Sequence, residues 1–145
     1  PQAAGIGSVA DGLSVIRQLI FEEKKTTGQE ILQALQDNWE GHEALYALVN
    51  SDKVQHYGND NDYADDLAKF AFDTYCAYVE NKTNSRGGTY TPGVYTVSAN
   101  VAFGLLQWAS VDGRKAGEPI SDNMGPVHNA AGSHDRLGQL RLLIL

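Results

Sequence analysis

The chain has 145 residues, which suits one domain or part of a larger one. Its formal net charge of −7, with basic residues that are scattered rather than grouped, argues against nucleic-acid binding, which needs Lys and Arg to neutralise phosphates. A single cysteine, Cys76, excludes an internal disulfide and fits a reducing cytoplasm, and no run approaches the ~20 apolar residues of a membrane helix. Since the chain starts at Pro1 rather than Met, we expect its parent to begin further upstream and infer nothing about targeting.

The first part of the chain predicts two helices. Apolar residues spaced four, three and four apart place one stripe along a helix over residues 8–23, and its members are Val9, Leu13, Ile16 and Ile20. Thr27 followed three residues later by Glu30 matches a capping box, which predicts the start of the second helix. The buried side of that helix would be formed by Ile31, Leu32 and Leu35.

Two more helices are predicted between residues 43 and 79. Gly41 breaks the second helical pattern, and residues 43–49 predict a short third helix. After the turn-rich, acidic residues 58–62, an apolar pattern predicts a long helix over residues 63–79. Because this helix is apolar on most sides, we expect partners for it beyond the 145 residues.

The pattern changes from residue 90 onward. Residues 90–104 are rich in β-branched and aromatic side chains and predict a strand. A period of two would place Thr96, Ser98 and Asn100 on one face of that strand. Residues 109–134 are rich in Gly, Pro, Asp and Asn and predict a long irregular segment, of the kind that is usually functional or packed against another element.

Several short patterns resemble nucleotide-binding or metal-binding motifs, but their spacing or the elements around them do not fit. Residues 5–10 fit the dinucleotide fingerprint G-x-G-x-x-A, but helix rather than a second strand follows them. The acidic residues between Asp60 and Asp66 miss the EF-hand spacing, and the four histidines miss the zinc spacings. Cys76 within an apolar helix is typical of an inert buried thiol. The residues alone predict no metal site and no self-sufficient active site.

Four segments, taken in order, carry a resemblance to a known family. Residues 112–119, Asp-Gly-Arg-Lys-Ala-Gly-Glu-Pro, resemble the DGR-x-A-G-x-P segment of glycyl-radical enzymes, and residues 98–104 resemble the strand that precedes it in pyruvate formate-lyase. Residues 57–60, Tyr-Gly-Asn-Asp, resemble a Y-G-N-D segment, and residues 10–16 resemble the A-D-S-L-S-A-I helix. With four segments at similar spacing, the chain is identified as a member of the pyruvate formate-lyase-like glycyl-radical enzymes.

The resemblance implies a fold and a chemistry. Such enzymes are α/β proteins with a ten-stranded barrel wrapped by helices, so this chain would be a helix-rich fragment of the barrel. Inside it, one finger loop carries a cysteine and another carries a glycyl radical, which a radical S-adenosylmethionine activating enzyme installs. The radical passes to the cysteine, and the thiyl radical abstracts hydrogen from a small-molecule substrate. A homodimeric parent in an anaerobic bacterial cytoplasm, or in a bacterial microcompartment, is implied, with no other bound cofactor.

The two radical-carrying residues are expected outside this chain. By the family pattern the thiyl cysteine lies upstream and Cys76 does not occupy its position, while the radical glycine lies beyond Leu145. The matched residues are therefore given structural roles, and they are Tyr57, Asn59, Asp60, Asp112, Gly113 and Arg114. The last three are expected to shape a turn and a buried ion pair. The candidate substrate-lining residues are Thr96, Ser98 and Asn100.

Two departures from the family pattern lie near the end of the chain. Residues 126–135 are three residues longer than the usual P-x-x-G-x-D segment, which suggests a lineage distinct from pyruvate formate-lyase itself. Residues 136–145 read RLGQLRLLIL where a G-P-T-A-like continuation is expected. We therefore assign residues 1–135 to the barrel domain and treat 136–145 as an atypical tail, from a frameshift or a cloning end.

The resemblance leaves three functions open. We expect the parent to be a glycyl-radical lyase that cleaves a C–C or C–heteroatom bond, of the dehydratase or decarboxylase type. Formate C-acetyltransferase and a non-catalytic paralogue are the alternatives. The isolated chain is expected to be inactive, because it lacks both radical-carrying residues, and to be poorly stable, because its long helix and its strand lack their neighbours.

Overall fold

The computed structural model describes residues 1–94, 98–122 and 125, and most of their regular structure is helical. A two-residue strand β1 (Gln2–Ala3) is followed by helix α1 (Ile6–Val15) and a π-helical segment (Ile16–Glu22). Three helices follow: α2 (Gly28–Gln36), α3 (Glu43–Val49) and α4 (Asp62–Val79). Strand β2 (Gly93–Val94) and helix α5 (Ala99–Leu105) complete the described elements. None of these helices is both long and apolar enough to cross a membrane.

The first predicted helix is confirmed, and its buried face differs from the apolar stripe. Val9 is 47% exposed, and the buried apolar residues of this helix and its π-helical continuation are Ile6, Ala10, Val15 and Leu19. The same buried side also carries three polar residues, Asp11, Ser14 and Gln18. Apolar spacing alone misplaced the face, because these polar side chains find hydrogen-bond partners inside the protein and are therefore buried at little cost.

A first core lies between α1, its π-helical continuation, α2 and α3. It is formed by Val15, Leu19, Ile31, Ala34, Trp39, Val49 and Val54. The predicted capping box fixes the start of α2: the Glu30 backbone N–H donates to Thr27 Oγ1 at 3.2 Å, and the Thr27 N–H donates to Glu30 Oε2 at 2.8 Å. The predicted helix over residues 43–49 is confirmed as α3.

A second core joins α1 to α4. Its buried residues are Ile6, Ala10, Tyr57, Ala64 and Ala68. The alanines let the two helices approach closely, and Tyr57 fills the space beside them. The other sides of α4 leave large apolar side chains in solvent, including Phe70 and Tyr78. This agrees with the expectation that α4 has partners outside the chain.

The predicted strand over residues 90–104 is mostly wrong. Among the described residues of this range, only Gly93 and Val94 form a strand, paired in parallel with β1, and residues 99–105 form helix α5 instead. The reason is tertiary: a Cβ on Gly104 would lie 2.6 Å from the Pro119 Cα, so α5 is packed tightly on the following segment. Such contacts override β-propensity, which largely reports burial and neighbours.

The long irregular segment after Trp108 is confirmed for residues 109–122, which contain no helix or strand. Its backbone nevertheless returns to the helices. Ile120 and Ser121 are buried, as are Asp112 and Arg114. The predicted three-residue extension in 126–135 and the atypical tail 136–145 lie outside the described residues.

Candidate functional site

The polar side of α1 and its π-helical continuation holds the segment formed by residues 53–57. Ser14 Oγ donates to the Gln55 carbonyl oxygen. Gln18 Nε2 donates to the Lys53 carbonyl oxygen at 2.6 Å, and Gln18 Oε1 accepts from the Gln55 N–H at 3.0 Å. A segment without helix or strand is thus paired residue by residue, as buried backbone groups must be.

Asp11 continues this pairing at the buried end of the segment. Its side chain is 1% exposed, and Oδ1 accepts from the Tyr57 N–H at 2.7 Å. The same oxygen lies 3.7 Å from His56 Nδ1, while His56 Nε2 lies 3.0 Å from the Val49 carbonyl oxygen. Burial and the negative charges of Asp65 and Asp11 raise the pKa of Tyr57 well above its usual value, so its phenol stays neutral.

The predicted turn at residues 112–114 is present and buried. Gly113 has a φ of 86°, a left-handed conformation that glycine adopts without strain. Asp112 Oδ1 accepts from Ser110 Oγ and from the Arg114 N–H, the latter at 3.4 Å. Ser110 also donates its backbone N–H to the Arg114 carbonyl oxygen at 2.9 Å, which closes the turn.

The predicted ion pair between Asp112 and Arg114 is wrong. The guanidinium, in a residue that is 4% exposed, donates instead to carbonyl oxygens: that of Glu118 at 2.8 Å, that of Lys115 at 3.1 Å, and that of Trp108. Its Nε donates to Ser110 Oγ at 3.1 Å. An irregular segment leaves many backbone carbonyl oxygens without a hydrogen-bond donor, and a guanidinium, with five N–H donors, can pair with several of them at once.

Asp112 brings this turn close to α1. Gly12 of α1 faces it, since a Cβ there would lie 4.0 Å from the Asp112 backbone nitrogen. Burial raises the pKa of Asp112, the charge of Asp11 adds to the increase, and hydrogen bonds from Ser110 and Arg114 oppose it. Two of the four segments that carry the resemblance, 57–60 and 112–119, therefore meet on one side of α1. We call this meeting point, formed by Asp11, Ser14, Gln18, residues 53–57 and residues 110–114, the polar junction.

The rest of the Tyr-Gly-Asn-Asp segment serves the start of α4. Asn59 Nδ2 donates to the His56 carbonyl oxygen at 3.3 Å, and Asp60 adopts a positive φ of 51°. Asn61 then caps α4 by accepting the Tyr63 N–H at 2.9 Å. The structural role expected of Tyr57, Asn59 and Asp60 stays a prediction.

Two of the three predicted substrate-lining residues lie in the described part of the chain. Ser98 immediately precedes α5 and is exposed. Asn100 lies in α5, where its Nδ2 donates to the Ile120 carbonyl oxygen at 3.1 Å and its carbonyl accepts the Ile120 N–H at 3.3 Å. Thr96 lies outside the described residues. Neither Ser98 nor Asn100 lies in a strand, and Asn100 anchors the loop that follows α5.

The glycines of the dinucleotide-like motif have a packing role. Gly5 caps α1 with a φ of 81°, and a Cβ on Gly7 would collide with the Gly125 carbonyl oxygen. Ser8 and Ser121 exchange hydrogen bonds across the same place, each backbone N–H donating to the other's hydroxyl at 2.9 and 3.0 Å. The start of α1 is therefore occupied by the chain itself.

No group of His, Cys, Asp and Glu within the described ranges is arranged to hold a metal ion. A cavity of about 460 Å³ lies between the start of α2 and α3. Its charged lining residues, Lys25, Glu30, His42 and Glu43, bear both signs. Glu30 and Glu43 are engaged by backbone N–H groups that lower the pKa of each carboxyl, so neither is poised for proton transfer.

The residues that sequence reasoning missed are Asp11, Ser14 and Gln18. They repeat at spacings of three and four, which is the signal of one helix face. Polar residues in that pattern ordinarily indicate a solvated face. The pattern is present in this sequence, but periodicity cannot identify residues 53–57 as the segment that covers this polar face.

The family described as pyruvate formate lyase-like matches residues 1–104 of the chain. The (2S)-3-sulfopropanediol dehydratase of Klebsiella oxytoca is 60% identical over 143 residues, and trans-4-hydroxy-L-proline dehydratase of Clostridioides difficile is 36% identical over 125. These matches cover 99% and 86% of this chain but 17% and 16% of the relatives. The glycerol-bound B12-independent glycerol dehydratase from Clostridium butyricum superimposes with a TM-score of 0.85 at 36% identity, covering 92% of this chain and 17% of that one.

Proposed function

The chain belongs to the pyruvate formate lyase-like family, and from that premise we propose that the protein containing it is a glycyl-radical dehydratase acting on a small polyhydroxylated substrate. The observation that carries this proposal is the 60% identity to a (2S)-3-sulfopropanediol dehydratase across nearly the whole chain. The other two similar proteins also remove water, one from trans-4-hydroxy-L-proline and one from glycerol. (2S)-3-Sulfopropanediol is therefore the first substrate to test.

Three relatives that all eliminate water support the dehydratase type over the alternatives. Formate C-acetyltransferase and a non-catalytic paralogue are less favoured, because a relative that is 60% identical catalyses a different reaction. Under this proposal the parent carries a protein glycyl radical, and a radical S-adenosylmethionine enzyme installs it. A homodimeric parent in the anaerobic bacterial cytoplasm, or in a microcompartment, belongs to the same proposal.

The chain's own contribution is a scaffold. Its matched residues are engaged with one another: Arg114 with four backbone or hydroxyl oxygens, Asp11 with Tyr57, and Asn100 with Ile120. Side chains committed in this way position segments rather than react. We place the thiyl cysteine and the radical glycine in the remaining five-sixths of the parent, and we keep Thr96 and Ser98 as substrate-lining candidates.

The experiment is an anaerobic turnover assay on the full-length protein, activated by its radical S-adenosylmethionine enzyme. (2S)-3-Sulfopropanediol, trans-4-hydroxy-L-proline and glycerol are offered separately, and pyruvate with coenzyme A forms a fourth arm. We expect the sulfonated diol to be dehydrated with the highest kcat/KM, and its product to be an aldehyde, as loss of water from a vicinal diol requires. The 145-residue chain alone, tested in parallel, should be inactive.

Each outcome decides between the hypotheses. Preferred turnover of another diol or of hydroxyproline would keep the dehydratase and change the substrate. Formate production from pyruvate would overturn the dehydratase in favour of the acetyltransferase. A protein that shows the electron paramagnetic resonance signal of a glycyl radical proves activation, so failure of all four substrates with that signal present would reject the proposed substrate class.

A further inference from the structure

The imidazole of His56 lies between the end of α3, helix α1 and the turn at residues 110–114. It is 8% exposed, and neither nitrogen faces solvent. Nε2 is 3.0 Å from the carbonyl oxygen of Val49, the last residue of α3. Nδ1 is 3.7 Å from Asp11 Oδ1 on α1. The third segment is the turn at 110–114, whose Asp112 lies near enough for its charge to act on the imidazole.

The two neighbours of the ring dictate where its hydrogens are. A carbonyl oxygen only accepts hydrogen bonds, so Nε2 carries a hydrogen. A neutral ring would then present the lone pair of Nδ1 to a carboxylate oxygen, which is also an acceptor. A second hydrogen on Nδ1 replaces that repulsion with a charge-assisted attraction. The same Asp11 oxygen accepts the Tyr57 N–H, so one atom ties both neighbouring residues of the segment to α1.

We propose that His56 is held as an imidazolium and that its positive charge fastens residues 53–57 to α1, which makes the docking of this segment dependent on pH. The charged groups that face it are Asp11 from α1 and Asp112 from the turn, whereas α3 contacts it through the Val49 carbonyl. His56 acts here as a positioning residue. The proposal stands independently of the dehydratase activity, because it concerns only contacts within the described residues.

The direction of the pH effect follows from the same contacts. Burial by itself would lower the pKa of His56, but the Asp11 carboxylate 3.7 Å from Nδ1, the Val49 carbonyl and the charge of Asp112 together raise it. A group with a raised pKa in the folded state stabilises that state below its unfolded pKa and loses this effect as pH rises through the folded pKa. The pKa of Asp112 is also raised, by burial first, so its contribution too decreases with rising pH. The segment should therefore loosen on alkalinisation.

The test is amide hydrogen exchange by mass spectrometry on the full-length protein from about pH 6 to about pH 9, with rates corrected for the intrinsic pH dependence of exchange. In the wild type, protection of the peptide spanning residues 53–57 should fall by about tenfold as the imidazolium loses its proton. In His56→Gln protection should be low, with only the weaker pH dependence that Asp112 contributes. His42→Gln is the matched control, because His42 pairs with the exposed Asp37, and it should behave like the wild type.

Two further variants test the proposal if His56→Gln fails to fold. Asp11→Asn retains an acceptor for the Tyr57 N–H but removes the charge beside the ring, so the loss of protection should move to lower pH. Asp112→Asn should keep a pH-dependent loss, which assigns that loss to His56. Unchanged wild-type protection across the range, or an unaltered pH profile in Asp11→Asn, would overturn the proposal.

Discussion

The polar junction buries polar side chains, whereas the outer faces of α4 and α5 expose apolar ones. At the junction, Asp11, Ser14 and Gln18 are buried and hydrogen-bonded within the chain. Around α5, large apolar side chains face solvent, and Leu106 and Trp108 are 85% and 80% exposed. The contrast shows which contacts the chain makes by itself. Polar partners are provided locally, whereas we expect the apolar partners to lie outside the chain, which covers 17% of the sulfopropanediol dehydratase that it resembles.

The largest expected effect comes from removing Arg114. Arg114→Ala would leave the Glu118, Lys115 and Trp108 carbonyl oxygens without the guanidinium inside a buried turn. We expect the free energy of unfolding of the chain to fall by about 3–5 kcal/mol, as for a broken buried charged network. Chemical denaturation measures this. The exposed Arg86→Ala is the control and should change stability by less than about 0.5 kcal/mol; equal effects of the two would refute the assignment.

A glycine pair tests the packing of α5 on the loop beneath it. In Gly104→Ala the new methyl would lie 2.6 Å from the Pro119 Cα and 2.8 Å from the Glu118 carbonyl carbon. Because both are backbone atoms, they cannot move aside cheaply, and we expect a loss of about 1–3 kcal/mol. Gly28→Ala, at the first position of α2 and with nothing within 4 Å, should be neutral or stabilising by up to about 1 kcal/mol. Equal melting temperatures for the two variants would contradict this packing.

The capping box of α2 should give an intermediate effect. Thr27→Ala removes the acceptor of the Glu30 N–H, and we expect a loss of about 1 kcal/mol in the free energy of unfolding. Hydrogen bonds from Thr27 and Thr26 lower the pKa of Glu30, so this contribution is present above the unfolded pKa and disappears as pH falls through the folded one. The difference between wild type and Thr27→Ala, measured by thermal melts, should shrink on acidification. A difference that grows there would argue against the box.

The smallest effect in the isolated chain is expected for an exposed apolar residue at the end of α5. Leu106→Ser removes a side chain that is already in solvent, so the chain's stability should change by less than about 0.5 kcal/mol. In the full-length protein, the same substitution should destabilise by about 1–3 kcal/mol if another part of the parent covers Leu106. Equal small shifts of the melting temperature in both proteins would show that nothing covers it.

The sequence predicted elements wherever the signal was local. The capping box at Thr27 and Glu30 and the helix over residues 63–79 needed only neighbours along the chain, and both are confirmed. The resemblance, carried by ordered segments rather than by reactive groups, led to the correct family.

Features that depend on distant contacts were beyond sequence reasoning. The strand predicted at 98–104 is helix α5, because Asn100 pairs with Ile120 and Gly104 lies against Pro119, contacts that periodicity cannot register. The ion pair assigned to Asp112 and Arg114 failed for the same reason, since the competing partners were carbonyl oxygens that every residue carries. The polar pattern on α1 is typical of a solvated face, and only the structure shows that residues 53–57 cover it.

We expect the polar junction to be held by the chain itself and the apolar faces to depend on the rest of the parent. Amide hydrogen exchange, compared between the 145-residue chain and the full-length protein, tests it most directly. We expect the amides of Gln55 and Tyr57 to exchange more slowly than those of α5 in the isolated chain, and both groups to be protected in the full-length protein. Exchange of Gln55 and Tyr57 as fast as that of α5 in the isolated chain would contradict the account.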